Sequence, residues 1–227
     1  MEQRSIYLSP STQENNIGAS NYGTEEKVMN QITDILEPIL EAHGLIVYRN
    51  KPTMTLKEAV ADSNSKKPDF HFAIHSNAWN KNTRGCEVYV HRFGGEGEKL
   101  ARAVYKEIEA MTPTGDRGIK ESANFFGQGK PLYEPAYTKA PAALIEIAFH
   151  DNFEDAMWIL DNMEKIAEGL AKGILNYFEI PMIDDNTEYK ATIQEHCGFG
   201  NPDGVWKFVN LHPYANAWYQ QWADSYK

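Results

Sequence analysis

The chain has few cysteines, no long apolar run and fewer basic than acidic side chains, and each deficit excludes a class of protein. Cys86 and Cys197 are the only cysteines in 227 residues, which excludes a disulfide-dense scaffold, and we expect both thiols to be reduced. No segment is long and apolar enough to cross a bilayer. The sequence therefore predicts a globular protein without a membrane span.

The charge balance excludes two kinds of partner. The chain carries 32 acidic and 22 basic side chains, a formal net charge of -10. Phosphate groups of nucleic acids and anionic membrane surfaces attract positive charge, so we expect neither a nucleic acid nor a membrane as a partner. The apolar run near the N-terminus is too short for a signal-peptide core, so we expect synthesis in the cytoplasm without a signal peptide.

Hydrophobic patterning predicts the fold class. Hydrophobic residues make up 42% of the chain, enough for one sizeable core plus a small appendage. Short apolar or alternating segments take turns with segments whose apolar residues recur every 3.6 positions, a pattern typical of an α/β fold. We predict a mostly parallel twisted sheet with helices on both faces. The predicted strands are 5–8, 45–48, 70–75, 85–91 and 143–148, the predicted helices are 25–42, 56–64, 98–111, 152–162 and 163–178, and a long loop covers 112–131.

The composition changes after Pro181, which divides the chain into three parts. Residues 1–180 form the predicted main domain, residues 181–190 are a polar linker, and residues 191–227 form a small helical module rich in aromatic residues. Most of these aromatic side chains would form a small core of the module. Some could instead stay exposed to stack on sugar rings or to pair two chains as a homodimer.

Three side chains on separate predicted elements form a candidate site. His75 lies at the carboxyl end of an apolar strand, where open α/β folds place their chemistry. Glu146 lies within another apolar strand, where a charge is costly unless a metal, a hydrogen-bond network or a substrate compensates it. Glu25 begins a helix, and a histidine with two glutamates is a plausible zinc hydrolase set.

Helical spacing distinguishes Glu25 from its neighbour Glu26. Steps of three and four residues from Glu25 reach Val28, Met29 and later apolar positions, whereas the same steps from Glu26 reach polar positions. We therefore expect Glu25 to face the core. The purely structural alternative for either residue is an acid in the first turn that interacts favourably with the helix dipole, and Glu26 suits that role better.

Two other histidines lie near this set. His71 and His75 share one face of their strand, but four residues separate them by about 13 Å, too far for one metal ion. We predict that His71 is a hydrogen-bonded core residue. His150 follows Glu146 closely and could support the site, contact substrate, or cap a loop through Asp151.

Six segments of the chain carry a resemblance to a known family: LSPSTQENN, GTEEKVMNQI, FAIHSNAWN, GCEVYV, DRGIK and ALIEIAFHDN. In their order and approximate spacing they resemble the zinc-dependent N-acetylmuramoyl-L-alanine amidases of the amidase type 3 family, which include phage endolysins and bacterial autolysins. The resemblance covers about 5–178 and implies hydrolysis of the amide between N-acetylmuramic acid and L-alanine in peptidoglycan. It implies that Glu25 and His75 bind zinc and that Glu146 acts on the metal-bound water.

The chain departs from the family pattern at the first zinc ligand. The family has a histidine in the loop after the first strand, whereas Thr12 occupies the ungapped position here. Gln13 is the nearest side chain whose oxygen could replace that imidazole, although an amide oxygen is a poor zinc ligand. Either Gln13 completes a weaker site, or another group or water does, or the metal site is lost. We expect a retained zinc site.

Two classes of function follow. The first is a metal-dependent amidase that acts on the cell wall, with Asn77, His150 and Tyr133 as predicted substrate-binding residues. The second is a non-catalytic peptidoglycan-binding or assembly protein on an amidase scaffold. A peptidase that cuts the stem peptide is a smaller possibility, because the same metal chemistry serves both bonds.

Overall fold

The computed structural model describes residues 3–115 and 117–182, which form one α/β domain. Most of the predicted linker, the aromatic module, the proposed homodimer contact and Cys197 lie outside the described residues. The strands are β1 Ser5–Pro10, β2 Ile46–Arg49, β3 Phe70–Asn77, β4 Glu87–Val90, β5 Ile119–Glu121 and β6 Ala142–Phe149. The helices are α1 Glu25–Ala42, α2 Leu56–Lys66, α3 Glu96–Glu109, α4 Tyr133–Tyr137, α5 Phe153–Asp161 and α6 Met163–Tyr177.

The six strands form one sheet in the order β2-β1-β3-β6-β4-β5. Strands β2, β1, β3 and β6 are mutually parallel, and β4 runs antiparallel to β6. Because of that reversal, the beginning of β4 lies beside the carboxyl end of β6. The predicted fold class, a mostly parallel sheet with helices, is confirmed.

The two faces of the sheet differ in chemistry. One face is apolar, and Ile6, Phe72 and Ile145 belong to a core cluster that also takes in residues of α1, α3 and α6. Alternation along the strands places Tyr7 and His71 on the other face, with α2 and α4. The second face therefore carries the polar side chains on which any site must be built.

Local sequence explains how α1 presents a carboxylate to the sheet. Thr24 caps the helix by accepting a hydrogen bond from the backbone N–H of Lys27. The backbone N–H of Glu25 donates to the carbonyl of Asn16 at 2.9 Å, which ties the helix start to the loop after β1. Glu25 is buried, as its spacing predicted, and Glu26 is less so.

Two short elements differ from the sequence prediction. The predicted loop 112–131 contains β5, a three-residue strand with only one apolar residue, and α4 was not predicted at all. Five residues make little more than one helical turn, so no periodic pattern could indicate α4. Its position matters because α4 packs on β6 over the polar face. None of the helices among the described residues could cross a membrane.

Candidate active site

A row of three charged side chains crosses the polar face at the carboxyl end of the sheet. In the strand register, His75 of β3 lies opposite Glu146 of β6, and Glu146 lies opposite Glu87 of β4. Neighbouring strands are about 4.8 Å apart, so the three side chains are adjacent on one face. The fold thus brings His75 and Glu146 together, as the sequence prediction requires.

Glu25 reaches the same row from the start of α1. Its Oε1 lies 2.8 Å from Nδ1 of His75, and its Oε2 accepts a hydrogen bond from Nδ2 of Asn16 at 2.6 Å. Burial alone would raise the pKa of Glu25, but the hydrogen bond with His75 outweighs it, and the pKa is lowered. The ionised form of Glu25 is therefore favoured by its hydrogen bond with the ring of His75.

Glu134 of α4 is a member of the site that sequence reasoning missed. Its Oε2 lies 3.2 Å from Nε2 of His75, and its Oε1 lies 3.1 Å from Nε2 of His71. The hydroxyl of Ser9 also donates to Oε1 at 2.5 Å. Burial opposes ionisation, but the hydrogen bonds from His71 and His75 hold the pKa of Glu134 well below its usual range. A sequence signal existed, since a buried His71 required a partner.

His75 therefore has a carboxylate on each side of its ring. Burial alone would lower the pKa of His75, but the hydrogen bonds to Glu134 and Glu25 raise it well above 6.5. His71 is fully buried, and its Nδ1 lies 2.9 Å from the hydroxyl of Ser63, so it is a hydrogen-bonded core residue.

Glu146 has the opposite environment. Among the described residues its Oε2 is buried and has no hydrogen-bond partner. Burial raises its pKa to about 8; the charge of His75 opposes this rise, and the neighbouring carboxylates of Glu25, Glu87 and Glu134 add to it. A carboxyl group that titrates near neutral pH can accept a proton and return it.

Glu87, beside Glu146, is fully satisfied. It accepts hydrogen bonds from Nδ2 of Asn77 at 2.6 Å and from the hydroxyl of Tyr89 at 2.9 Å. Arg117 lies 2.9 Å away, and Lys120 forms a second ion pair. Burial opposes ionisation, but these partners, Lys120 foremost, lower the pKa of Glu87.

The structure places the other predicted residues as follows. The side chain of Gln13 is exposed, while its backbone N–H donates to Ser11 at 3.2 Å. Asn77 is engaged with Glu87, and the half-buried ring of Tyr133 packs on Tyr137. His150 is fully buried, and its Nδ1 lies 2.8 Å from the hydroxyl of Ser76. The roles assigned to these residues stay predictions.

An open cleft of about 780 Å³ lies beside the loop after β1, and neither Glu25 nor His75 lines it. Asn16, which donates to Glu25, lines it together with Thr12 and Gln13 of the same loop and with residues 52–55 before α2. A substrate in this cleft would reach the carboxyl end of the sheet.

The residues at this edge fit a zinc ion in donor type and charge. Imidazole nitrogen and carboxylate oxygen are zinc ligands, and His75 and Glu25 supply one of each. The unpartnered Oε2 of Glu146 and the surplus of carboxylates around one imidazole would both be compensated by a cation. Within the described ranges, however, no three His, Cys, Asp or Glu side chains are arranged to hold a metal ion.

A family model described as N-acetylmuramoyl-L-alanine amidase matches residues 6–176, three quarters of the chain. The chain belongs to this family. It is an enzyme that hydrolyses the amide between N-acetylmuramic acid and L-alanine in peptidoglycan.

Two relatives are similar to most of this chain, and one of them is named as an N-acetylmuramoyl-L-alanine amidase. YqiI of Bacillus subtilis (strain 168) is 26% identical over 189 residues, which cover 79% of this chain and 87% of YqiI. The N-acetylmuramoyl-L-alanine amidase LytC of the same organism is 28% identical over 182 residues, 76% of this chain but only 35% of LytC. The amidase is thus similar to about a third of LytC.

A solved structure shows the same fold. The catalytic domain of CwlV, an N-acetylmuramoyl-L-alanine amidase from Bacillus (Paenibacillus) polymyxa var. colistinus, superposes with a TM-score of 0.69 at 21% identity. The superposition covers 79% of this chain and 100% of that domain. The strand order and helix positions described above are therefore those of an amidase catalytic domain.

Proposed function

We propose that Glu146 is the proton-transfer group of this amidase and that His75 and Glu25 hold a catalytic zinc ion beside it. The observation that carries the proposal is the buried Oε2 of Glu146, which has no hydrogen-bond partner within residues 3–115 and 117–182. Glu146 lies opposite His75 in the strand register. Every other carboxylate of the row has donors, so Glu146 alone is left available for a reacting group.

The zinc ion and Glu146 have different roles in the reaction because of their charge and position. A zinc ion, when bound, supplies Lewis acidity that polarises the amide carbonyl and makes water more acidic. The ionised form of Glu146, which a bound cation would favour, accepts the proton of the attacking water at Oε2 and then returns it to the nitrogen of L-alanine as the carbon–nitrogen bond breaks. The products are the carboxylate of the muramic acid lactyl group and the free amine of the peptide.

The cleft supports peptidoglycan as the substrate. It is open and is lined by Asn16, whose side chain donates to Glu25, so an extended glycan-linked peptide in it would lie next to this part of the site. The amidase then acts at the bacterial cell wall. Asn77 and Tyr133 lie on separate elements at this side of the sheet and are proposed to bind the substrate.

The test is release of peptide from purified peptidoglycan, measured together with the zinc content of the protein. We expect one zinc ion per chain, loss of turnover on chelation, and recovery when zinc is returned. The substitution Glu146→Gln should lower kcat by about 10²–10⁴-fold while zinc content is retained, because it removes only proton transfer.

A matched pair of variants separates the ligand from its neighbour. Glu25→Gln should weaken zinc binding about 10-fold or more, whereas Glu26→Gln, one residue along the same helix turn, should leave zinc affinity unchanged. Turnover that survives complete zinc removal would contradict the metal role. Binding of peptidoglycan by the wild-type protein without any turnover would favour the non-catalytic scaffold instead.

A further inference from the structure

Glu134 occupies an unusual place on the polar face of the sheet. It projects from α4 onto β3 and is 3% exposed. His71 and His75, four residues apart on β3, lie on either side of it, and the small side chain of Ala73 between them leaves room for the carboxylate. One buried group therefore bridges two histidines that cannot share a metal ion.

The bridge determines which ring nitrogens carry hydrogen. An ionised carboxylate only accepts hydrogen bonds, so Nε2 of His75 and Nε2 of His71 must both donate to Glu134. Ser9 adds a third donor at 2.5 Å. With Nε2 of His75 occupied in this way, Nδ1 is the nitrogen that faces Glu25 at 2.8 Å.

We propose that Glu134 is the positioning residue of this active site: it fixes the ring orientation and tautomer of His75 so that Nδ1 is presented beside Glu25, and Ser9 and His71 hold it in place. The inference rests on the proposed function, since it concerns His75 as a zinc ligand.

The cost of Glu134 argues against a purely structural role. Burial of a carboxylate is expensive, and an apolar side chain of similar volume would fill the same space without that cost. Three donors from two strands compensate the charge, namely Ser9 of β1 and the two histidines of β3. The arrangement instead matches the carboxylate–histidine pairs that orient metal-binding histidines in proteins.

The sequence of the loop after β1 makes the orientation of His75 by Glu134 more important. Thr12 stands where the family has a histidine, so His75 is the single imidazole of the row formed with Glu146 and Glu87. A site with one nitrogen ligand depends on the orientation of that one ring. Glu134 holds the ring through its 3.2 Å contact with Nε2.

The experiment compares the wild-type protein with Glu134→Gln in three measurements. A glutamine accepts hydrogen bonds only at its oxygen, and Ser9 and His71 both donate on the Oε1 side, so we expect the amide oxygen to stay there and the bond to His75 to be lost. We expect zinc affinity, measured by chelator competition, to fall about 10–100-fold. We expect kcat to fall by about as much with KM nearly unchanged, and the slowly exchanging Nε2–H resonance of His75 to disappear from spectra of ¹⁵N-histidine-labelled protein.

Asp155→Asn is the matched control. Asp155 is also a fully buried carboxylate, but its partners are Arg84 and the backbone N–H groups of Gly85 and Phe149. This variant should lose thermal stability while it keeps the zinc affinity and the His75 resonance. If Glu134→Gln behaves in the same way as Asp155→Asn, the positioning role is wrong.

Two further variants keep the test decisive if Glu134→Gln does not fold. Ser9→Ala removes one donor and leaves the carboxylate, and we expect the same changes at about 2–5-fold. Glu134→Asp keeps the charge but shortens the reach, so it should not restore zinc affinity. Wild-type protein that binds no zinc would overturn the proposed function, and the resonance of His75 would still decide the role of Glu134.

Discussion

At the amino end of β1 and β3, the carboxylate of Asp69 is partly exposed and accepts hydrogen bonds from the backbone N–H and the hydroxyl of Ser5, with Arg4 at 3.5 Å. At the carboxyl end of the same sheet, Glu146 is half-buried, and its buried Oε2 lacks a partner among the described residues. The first end pairs its carboxylate at low cost, whereas the second leaves a carboxyl oxygen without a hydrogen bond. The charged groups at the amino end contribute to stability, whereas those at the carboxyl end are arranged for chemistry.

The comparison also holds within the active-site row. Glu87 and Glu146 face each other across β4 and β6, yet Glu87 has two cations, Tyr89 and Asn77 as partners. The pKa of Glu87 is therefore lowered, and that of Glu146 is raised to about 8. Two identical residues at the same level of one sheet thus differ in protonation because of their neighbours alone.

The largest expected effect on stability comes from replacement of Glu87, the carboxylate with a full set of partners. Glu87→Gln leaves Arg117 and Lys120 without their counter-ion, and both cations are about a third exposed, so they can turn partly to water. We expect a loss of about 2–3 kcal/mol in the free energy of unfolding, measured by urea denaturation at pH 7. An unchanged free energy would show that the network around Glu87 contributes nothing.

Replacement of Glu146 is expected to change the free energy of unfolding by a smaller amount and with the opposite sign. Its pKa is about 8 in the folded state against an ordinary value of 4.5, so between these values the folded state holds a proton that the unfolded state releases. The stability of the wild-type protein should therefore fall as pH rises from about 4.5 to about 8 through this group. Glu146→Gln removes that loss and should be more stable by about 1–3 kcal/mol at pH 9, with little difference at pH 4.5.

Urea denaturation of both proteins at pH 4.5, 7 and 9 checks this prediction. Glu25 and His75 are present in both proteins, so the difference between the curves reports the ionisation of Glu146 together with its coupling to these two neighbours. Parallel curves over the whole range would mean that the folded-state pKa of Glu146 is ordinary.

The smallest effect is expected at the amino end of the sheet. Arg4 and Asp69 are 3.5 Å apart, with side chains 58% and 36% exposed. Arg4→Ala should change the free energy of unfolding by less than about 0.5 kcal/mol, because exposed ion pairs contribute little. A loss of unfolding free energy as large as that of Glu87→Gln would contradict the difference between the two ends of the sheet.

Local patterns were sufficient to predict part of the site. Alternation along β3 and β6 placed His75 and Glu146 in strands, and the 3.6-residue period of α1 selected Glu25 over Glu26. The predicted fold also indicated where these residues meet, because the carboxyl ends of parallel strands lie at the same edge of a sheet. The fold class was accessible for the same reason.

Glu134 and Glu87 could not be predicted in the same way. Glu134 lies on a five-residue helix without a periodic signal, and its role depends on how that helix packs over β3. Glu87 joins the row only because β4 runs antiparallel to β6, and no local pattern in residues 85–91 reveals strand direction. Both depend on long-range packing rather than on local sequence.

The reversed direction of β4 has a consequence for how such an enzyme can change. Because β3 ends and β4 begins at the same edge, residues 78–86 form an arch that starts beside His75, passes the end of β6 and finishes at Glu87. Asp151 anchors it through the backbone N–H groups of Trp79 and Lys81, and the Trp79 side chain is left 78% exposed. Insertions in this arch could remodel the entrance to the active site while every strand pairing stays in place.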